Sequence, residues 1–585
     1  MKNFKTYFVV VLSAIVLTSC GDMLDVEPKG VVTEEQVSEP ESLEGLVTAA
    51  YAFTPKASPC CAEFMSLNPW IASVRSDDAY KGGGGLDDQT PWYQMETFSL
   101  VSSSIGNNNG VWKNGYHGIA RANEAISKIQ EVDESEFPVK TTRLAEMHFI
   151  RAWLHYKLKI RYRWIPYVPE GLTQQEIEEI PNRRPDAEND MYIWQHILDD
   201  FKYASENLPE TQEDDGRVNK ATADAFIVKT LLWMAYPQDD NHQLTNINTS
   251  RLEEALTYAN EIINSGQYSL AEDFAHNFMY EWDNQSPEVL WELQFSTDDG
   301  TPNGNLNEGN SLTTPWWSPY FSCCDFHKPS FNMVNAFKVD QNGLPMFDTF
   351  NDESAQGSYN NYFSNNTFDP RIGHTVAIPG LPWKYQNQQN PVLFDSAGSR
   401  QPDVYGYFHS LKENVRTDSP GLVDLFWMHN SKNQAVVRYD EVLLMKAEIL
   451  IELGRHDEAL PIINQIRQRA SNSTGMLTFT DGSPTLDYNI ETYQDGVNIN
   501  WTQQNARKAL RWERRLELAM EGRRFFDLVR WGIAEEVMND YFEKERERRQ
   551  WLSVAEFQSG RDEYRPIPQE QLNLSEGVYT QNPGY

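Results

Sequence analysis

Long stretches of this chain place apolar residues at three- and four-residue steps, a spacing that puts them along one face of a helix. Trp112, Tyr116, Ile119, Ala122, Ala125, Ile126 and Ile129 form one such stripe. Leu144, Ala145, His148, Ala152, His155 and Tyr156 form another, inside a helix predicted over 142–162. The same spacing predicts helices over 42–53, 191–208, 221–236 and 252–265. Pro209 and Pro237 end two of them, because proline has no N–H with which to continue the ladder. Consecutive helices of this kind suggest a mainly α chain of stacked helical hairpins. Two stretches depart from the pattern. Segment 54–110 is broken by Gly, Pro and Asn. Segment 266–434 is rich in Asn, Gly, Ser and Pro with scattered aromatics. A structureless loop of that length is improbable in a compact domain, so short helices and hairpins packed on the scaffold are expected there. Glu288 to Phe295 alternates and is the best strand candidate in a minor β component.

Residues 435–471 make the hairpin expectation specific. Tyr439–Leu453 and Asp457–Ala470 are predicted helices on either side of Gly454-Arg455-His456. Ala447 and Ala459 supply small residues where two helices would touch. The arrangement resembles the tetratricopeptide pattern, in which small residues allow close approach and Gly makes the turn. Glu253-Glu254-Ala255-Leu256 with Ala259 looks like the second helix of a further unit.

The N-terminus reads as an export signal. Lys2 and Lys5 precede a short apolar run, Phe8 to Leu17, which is too short to span a bilayer comfortably. Leu17-Thr18-Ser19-Cys20-Gly21 resembles a bacterial lipobox, which implies cleavage after residue 19 and lipidation of Cys20. Three acyl chains exceed the roughly two signals that stable anchoring needs. Asp22, Asp25 and Glu27 resemble the surface-export signal of Bacteroidetes lipoproteins. The formal net charge of −35 disfavours nucleic acid and anionic membrane as partners. Membrane contact is therefore expected through the lipid alone.

Four cysteines remain, as the adjacent pairs Cys60-Cys61 and Cys323-Cys324. An even count outside the cytoplasm favours disulfides, and adjacent cysteines fit a zinc site poorly. At least one bridge between the two pairs is expected; two vicinal bridges or four buried thiols are the alternatives.

A neutral sugar offers C–H faces to flat rings and hydroxyl edges to amides, carboxylates and guanidinium groups. Aromatics on periodic helices belong to the core, so the informative ones sit in polar loops. Trp92 and Tyr93 follow the Gly82–Gly85 run, Trp316, Trp317 and Tyr320 lie among prolines, and Trp383 follows Pro382. These six are the candidate glycan contacts. Glu517 and Glu521 share a helical face in a charged helix over 511–530, but Arg514, Arg515, Arg523 and Arg524 surround them. A structural ion-pair network fits that mixture better than an acid/base pair. No metal ligand set is assigned. Asp77, Asp78, Asp87 and Asp88 offer the hard oxygens a calcium site needs, yet they lack the regular EF-hand spacing, which favours a solvated turn.

Six blocks in order resemble the SusD/RagB family of Bacteroidetes lipoproteins. They are Ser76-Asp77-Asp78-Ala79 with its glycines, Trp112 to Asn123, Ile262 to Leu270, Arg438 to Glu448, Arg511 to Gly532, and the close at Ile567-Pro568 and Gln581 to Tyr585. The resemblance implies tetratricopeptide-like hairpins carrying a loop-rich ligand face. It implies a glycan receptor on the outer membrane that serves as lid to a SusC-like TonB-dependent transporter, rather than an enzyme. The layout expected is a signal peptide at 1–19, an N-terminal region at 20–265 and a C-terminal region at 266–585, forming one compact unit. A surface glycoside hydrolase, or a helical-repeat scaffold binding only the transporter or a peptide, are the competing functions.

Overall fold

The computed structural model describes residues 39–54, 69–106, 108–184, 191–301, 304–354, 359–386, 391–425 and 428–585. The signal segment, Cys20, Cys60 and Cys61 lie outside the described residues. The main helices are α1 (Pro40–Tyr51), α2 (Asn108–Glu131), α3 (Lys140–Tyr162), α4 (Met191–Asn207), α5 (Lys220–Ala235) and α6 (Thr249–Asn264). They continue with α7 (Tyr439–Glu452), α8 (His456–Asn472), α9 (Gln503–Glu517), α10 (Arg524–Arg530) and α11 (Ala534–Arg548). The helices expected from periodicity are all present, displaced by at most three residues at an end.

Each helix packs on the next: α2 on α3, α3 on α4, α4 on α5, α5 on α6. α6 then packs on α7, which holds α8 and α9. Helix α5 lies inside this stack. Every residue from Ala221 to Ala235 is buried, as expected of a helix that carries apolar residues on all sides. Its N-cap is Asn219, whose side chain accepts from the Thr222 N–H at 3.0 Å. Ala447 and Ala459, the small residues of the tetratricopeptide-like pair, are fully buried. One hydrophobic core contains residues from Leu43 to Ile567.

The region after α6 is built from short pieces. The strand β2 (Val289–Leu293) runs antiparallel to β4 (Gln434–Arg438), directly before α7. Strand β1 (Ala79–Gly82) pairs antiparallel with β3 (Phe326–Pro329). Gly82 has φ +78°, and a Cβ there would stand 2.2 Å from the carbonyl oxygen of Asp325, so only glycine fits. Among the described residues no helix is long and apolar enough to cross a membrane.

The charged segment corrects one expectation. It is not one helix over 511–530. α9 starts at Gln503 and ends at Glu517, and a turn separates it from α10. Met520 at φ +64° and Gly522 at φ +71° put the turn in the left-handed region, which no α-helix tolerates.

Candidate functional site

The six aromatic candidates do not share a surface. Trp92 is 1% exposed and meets Phe326 edge-on at 5.5 Å. Trp383 is 0% exposed; its Nε1 donates to the Val415 carbonyl at 3.0 Å, and its ring lies 5.3–5.6 Å from Phe321, Phe394 and Trp317. Trp317 is buried in the same cluster. These three rings are core, and none has a face for a sugar. Tyr93 is partly exposed with its hydroxyl on the Trp551 carbonyl, and Tyr320 is partly exposed against Trp317.

Trp316 is different, being 49% exposed. It follows a proline and precedes the buried Trp317. Consecutive residues of an extended segment point to opposite sides, so burying one ring presents the other. The Trp316 N–H donates to the Gly398 carbonyl at 2.9 Å, which ties the segment to the 396–400 turn. That turn brings Arg400 to the ring, with its Cζ 5.2 Å from the ring centre. Arg400 also reaches the Asp88 carboxylate at 3.3 Å and the Cys324 carbonyl at 3.2 Å. Its own N–H is held at 2.8 Å by Asp325, which is fully buried and ion-paired to Lys328 at 2.7 Å. Asp88 in turn accepts from the Gly84 N–H at 2.7 Å. The result is a ledge: one open indole flanked by a guanidinium and a carboxylate, both partly exposed.

The glycine run is wrapped around a buried cation. Lys81 Nζ donates to the carbonyls of Gly82 and Gly85 at 3.0 and 2.9 Å. Burial lowers the Lys81 ammonium to about 8, against the pull of Glu96 and Asp88. Arg400, Asp325 and Lys81 have no periodic or motif signal in the sequence; β1–β3 pairing brings Lys81 and Asp325 together, and the 396–400 turn adds Arg400.

The cysteine expectation is revised in part. Cys323 and Cys324 are bonded to each other, with Cα atoms 3.1 Å apart, so neither sulfur is available to the 60–61 pair. Residues 79–92 are held against residues 326–329 by β1–β3 pairing and the Trp92–Phe326 contact. Cys323 and Cys324 belong to the same small core as Trp92.

Asp77 and Asp78 do not form the solvated turn expected from the sequence. Both are buried. Asp77 is paired to Arg524 at 2.9 Å and Arg515 at 3.0 Å, and Asp78 to Arg515 at 3.3 Å. Burial raises the Asp77 carboxyl, yet the two arginines outweigh it and hold the group at about 2. Asp87 is exposed, and Asp88 serves the ledge.

Glu517 and Glu521 sit in an alternating buried network. Arg371 contacts Asp369, Glu513 and Glu517 at 2.7–2.9 Å. Arg469 bridges Glu517 to Glu288, and Arg438 bridges Glu521 to Asp440. Glu288, Asp440 and Glu517 approach one another closely enough to hold a cation, but Arg371, Arg438 and Arg469 already supply the positive charge. Carboxylates engaged in this way hold the fold together.

Two family models match the chain. One described as "SusD family" covers residues 287–585. One described as "Starch-binding associating with outer membrane" covers residues 24–232. The SusD-like protein P2 of Formosa agariphila is 22% identical over the full length of both chains. A SusD superfamily protein of Bacteroides vulgatus has the same fold at TM-score 0.66, with 19% identity over 94% of this chain and 99% of that one. A laminarin binding SusD-like protein matches at TM-score 0.62 and 21% identity, covering 94% and 100%. The surface glycan-binding protein A of Bacteroides thetaiotaomicron, solved in complex with laminarihexaose, matches at TM-score 0.59 and 20% identity, covering 93% and 99%. With a family model spanning more than half its length and the tetratricopeptide-like stack beneath it, this chain belongs to the SusD/RagB family.

Proposed function

We propose that this chain is a lipid-anchored outer-membrane protein that captures a glycan at the cell surface and passes it to a SusC-like TonB-dependent transporter. The observation that carries the glycan reading is Trp316, an indole half exposed beside Arg400 and Asp88. An open ring and two charged hydrogen-bonding groups, each held by buried partners, match the faces and edges of a pyranose at low ordering cost. Tyr320 and Tyr93 are partly exposed and stand as further contacts. The two relatives named for laminarin and laminarihexaose support a glycan as the ligand class. The lipobox at Cys20 and the family model's association with the outer membrane support the location.

Affinity electrophoresis through gels cast with a panel of glycans, laminarin among them, tests the reading. Retardation by one glycan, lost by roughly tenfold or more in Trp316→Ala, is the expected result. Retardation unchanged in that variant removes the ledge from the site. Shortened products after incubation indicate a hydrolase instead. Cys20→Ala is expected to leave the membrane fraction, and mild detergent is expected to co-purify a barrel transporter.

A further inference from the structure

A cavity of about 130 Å³ lies between α3, α5, α7, the end of α9 and the turn that follows it. One ordered water needs roughly 10–15 Å³, so this space holds a small solute with water around it. Nine cationic side chains and four carboxylates line it, in a chain of net charge −35. The sign of the cavity is opposite to that of the protein.

Most of these cations are matched inside the fold. Lys412 and Arg438 share Glu521, and Arg530 holds Glu448 and Asp527. Lys157, Arg514 and Arg523 keep unmatched donors. Arg514 gives Nε and Nη2 to Asp527 at 2.9 and 3.0 Å, while its Nη1 is buried without an acceptor. Arg523 gives Nη2 to the Val436 carbonyl at 2.6 Å, while its Nε has no acceptor and stands 3.7 Å from Glu441. Glu441 is already ion-paired with Lys229. Lys157, 9% exposed, has no hydrogen-bond acceptor among the described residues; its ammonium lies 5.3 Å from the ring centre of Trp153. Burial, with Arg161, Arg523 and Lys229 facing it, holds the Lys157 pKa well below the usual lysine range, and Glu441 opposes this only in part.

Buried donors without acceptors and buried like charges are both costly, and native interiors rarely keep either without a partner. Three segments of chain nevertheless converge on this arrangement. Partly exposed Arg523, Phe526 and Gln434 give small solutes a route in. We propose that the cavity binds a small oxyanion, held by Lys157, Arg514 and Arg523 with Lys229 adding charge. Guanidinium groups favour ligands with two or more oxygens bearing full negative charge. Inorganic sulfate or phosphate has that chemistry, and so does the carboxylate of one acidic sugar.

Equilibrium dialysis of the purified mature chain against labelled sulfate, phosphate and galacturonate in turn tests this, with galactose as the neutral control. Saturable binding of one ligand per chain is expected. Lys157→Met should weaken it by about tenfold or more, since a charge-assisted contact is lost. Binding of sulfate or phosphate alone assigns a free inorganic ion; binding of galacturonate alone assigns a sugar acid. No saturable binding of any of the three overturns the proposal. Melting curves in sodium sulfate against sodium chloride at equal ionic strength give a second readout. The extra Tm rise should vanish in Lys157→Met; a rise that persists is the general salting effect of sulfate and counts against the site. Should Lys157→Met fail to fold, Arg523→Gln, at a side chain one quarter exposed, gives the same comparison, and unchanged binding in it overturns the assignment. Trp316→Ala should leave oxyanion binding intact, which separates this site from the ledge.

Discussion

The charged segment around α9 and α10 and the loop-rich region 266–434 both bury side chains that a hydropathy plot would put outside, but by different means. In the charged segment Glu513, Glu517, Arg514 and Arg515 are all buried, and each is paired with an opposite charge from another element. In the loop-rich region Trp317, Phe321, Trp383 and Phe394 bury one another, with Ala377 of a two-residue strand and Leu411 beside them. The first region holds its interior by pairing and the second by stacking. Arg371 is where they meet. It sits in the loop-rich region and takes Glu513 and Glu517 of α9. Pairing ties distant elements into one arrangement, whereas stacking lets a loop carry its own small core and leave one ring, Trp316, free for other uses.

The largest effect is expected from breaking the joint. Arg371→Met leaves Asp369, Glu513 and Glu517 buried with one partner fewer each, and breaking a buried pair costs about 3–5 kcal/mol. Guanidinium unfolding should place this variant at the upper end of that range; a cost below about 1 kcal/mol would remove Arg371 as the link. Trp383→Ala comes next, at about 3 kcal/mol, because it empties the centre of the stacked cluster. A near-neutral result there would mean the loop core does not contribute to global stability.

Acidity sharpens the comparison further. Burial pushes Asp283 and Glu563 up to about 7 and Asp562 up to about 6. A carboxyl raised in the folded state favours folding while protonated and loses that contribution as pH rises through its folded value. Glu441 and Glu448 behave oppositely. Burial raises them, but Lys229 acting on Glu441 and Arg530 on Glu448 outweigh it and hold both at about 2. Their contribution is lost as pH falls from the ordinary carboxylate range toward 2. Tm should therefore peak at about pH 5, decline toward pH 7.5 and fall steeply below about pH 4. A flat profile from pH 5 to 8 would contradict the raised group. The smallest stability effect is expected at the ledge. Trp316→Ala should change unfolding free energy by within about 0.5 kcal/mol while abolishing glycan retention. A large loss of stability would show that the ring supports the fold rather than a ligand.

The scaffold was legible because periodic burial leaves a periodic sequence. The stripe from Trp112 to Ile129 and the Ala447–Ala459 pair read directly as helices in contact. The loop-rich region was legible only in kind. Proline next to tryptophan marked Trp316 and Trp317 alike, and nothing local says which ring turns outward, since that depends on the partners offered by Phe394 and Trp383. The same holds for Asp77 and Asp78. Two adjacent acids after a serine look solvated until Arg515 and Arg524, distant in sequence, are placed on them. The break at Met520 and Gly522 was visible as a glycine but was outweighed by the helical charge pattern on both sides.

The pairing of Asp78 with Arg515 spans 437 positions. During synthesis, strand β1 has no partner until residues 326–329 exist, and Asp77 and Asp78 have no ion-pair partner until residue 515 is made. For much of its production the chain holds an N-terminal part that can form α2 to α6 but cannot close. Such late closure makes folding slow, because distant contacts must be brought together before they stabilise anything. A fragment stopping at residue 265 should lack a resting place for its own residues 77–82, so the two matched regions are expected to fold only as one piece.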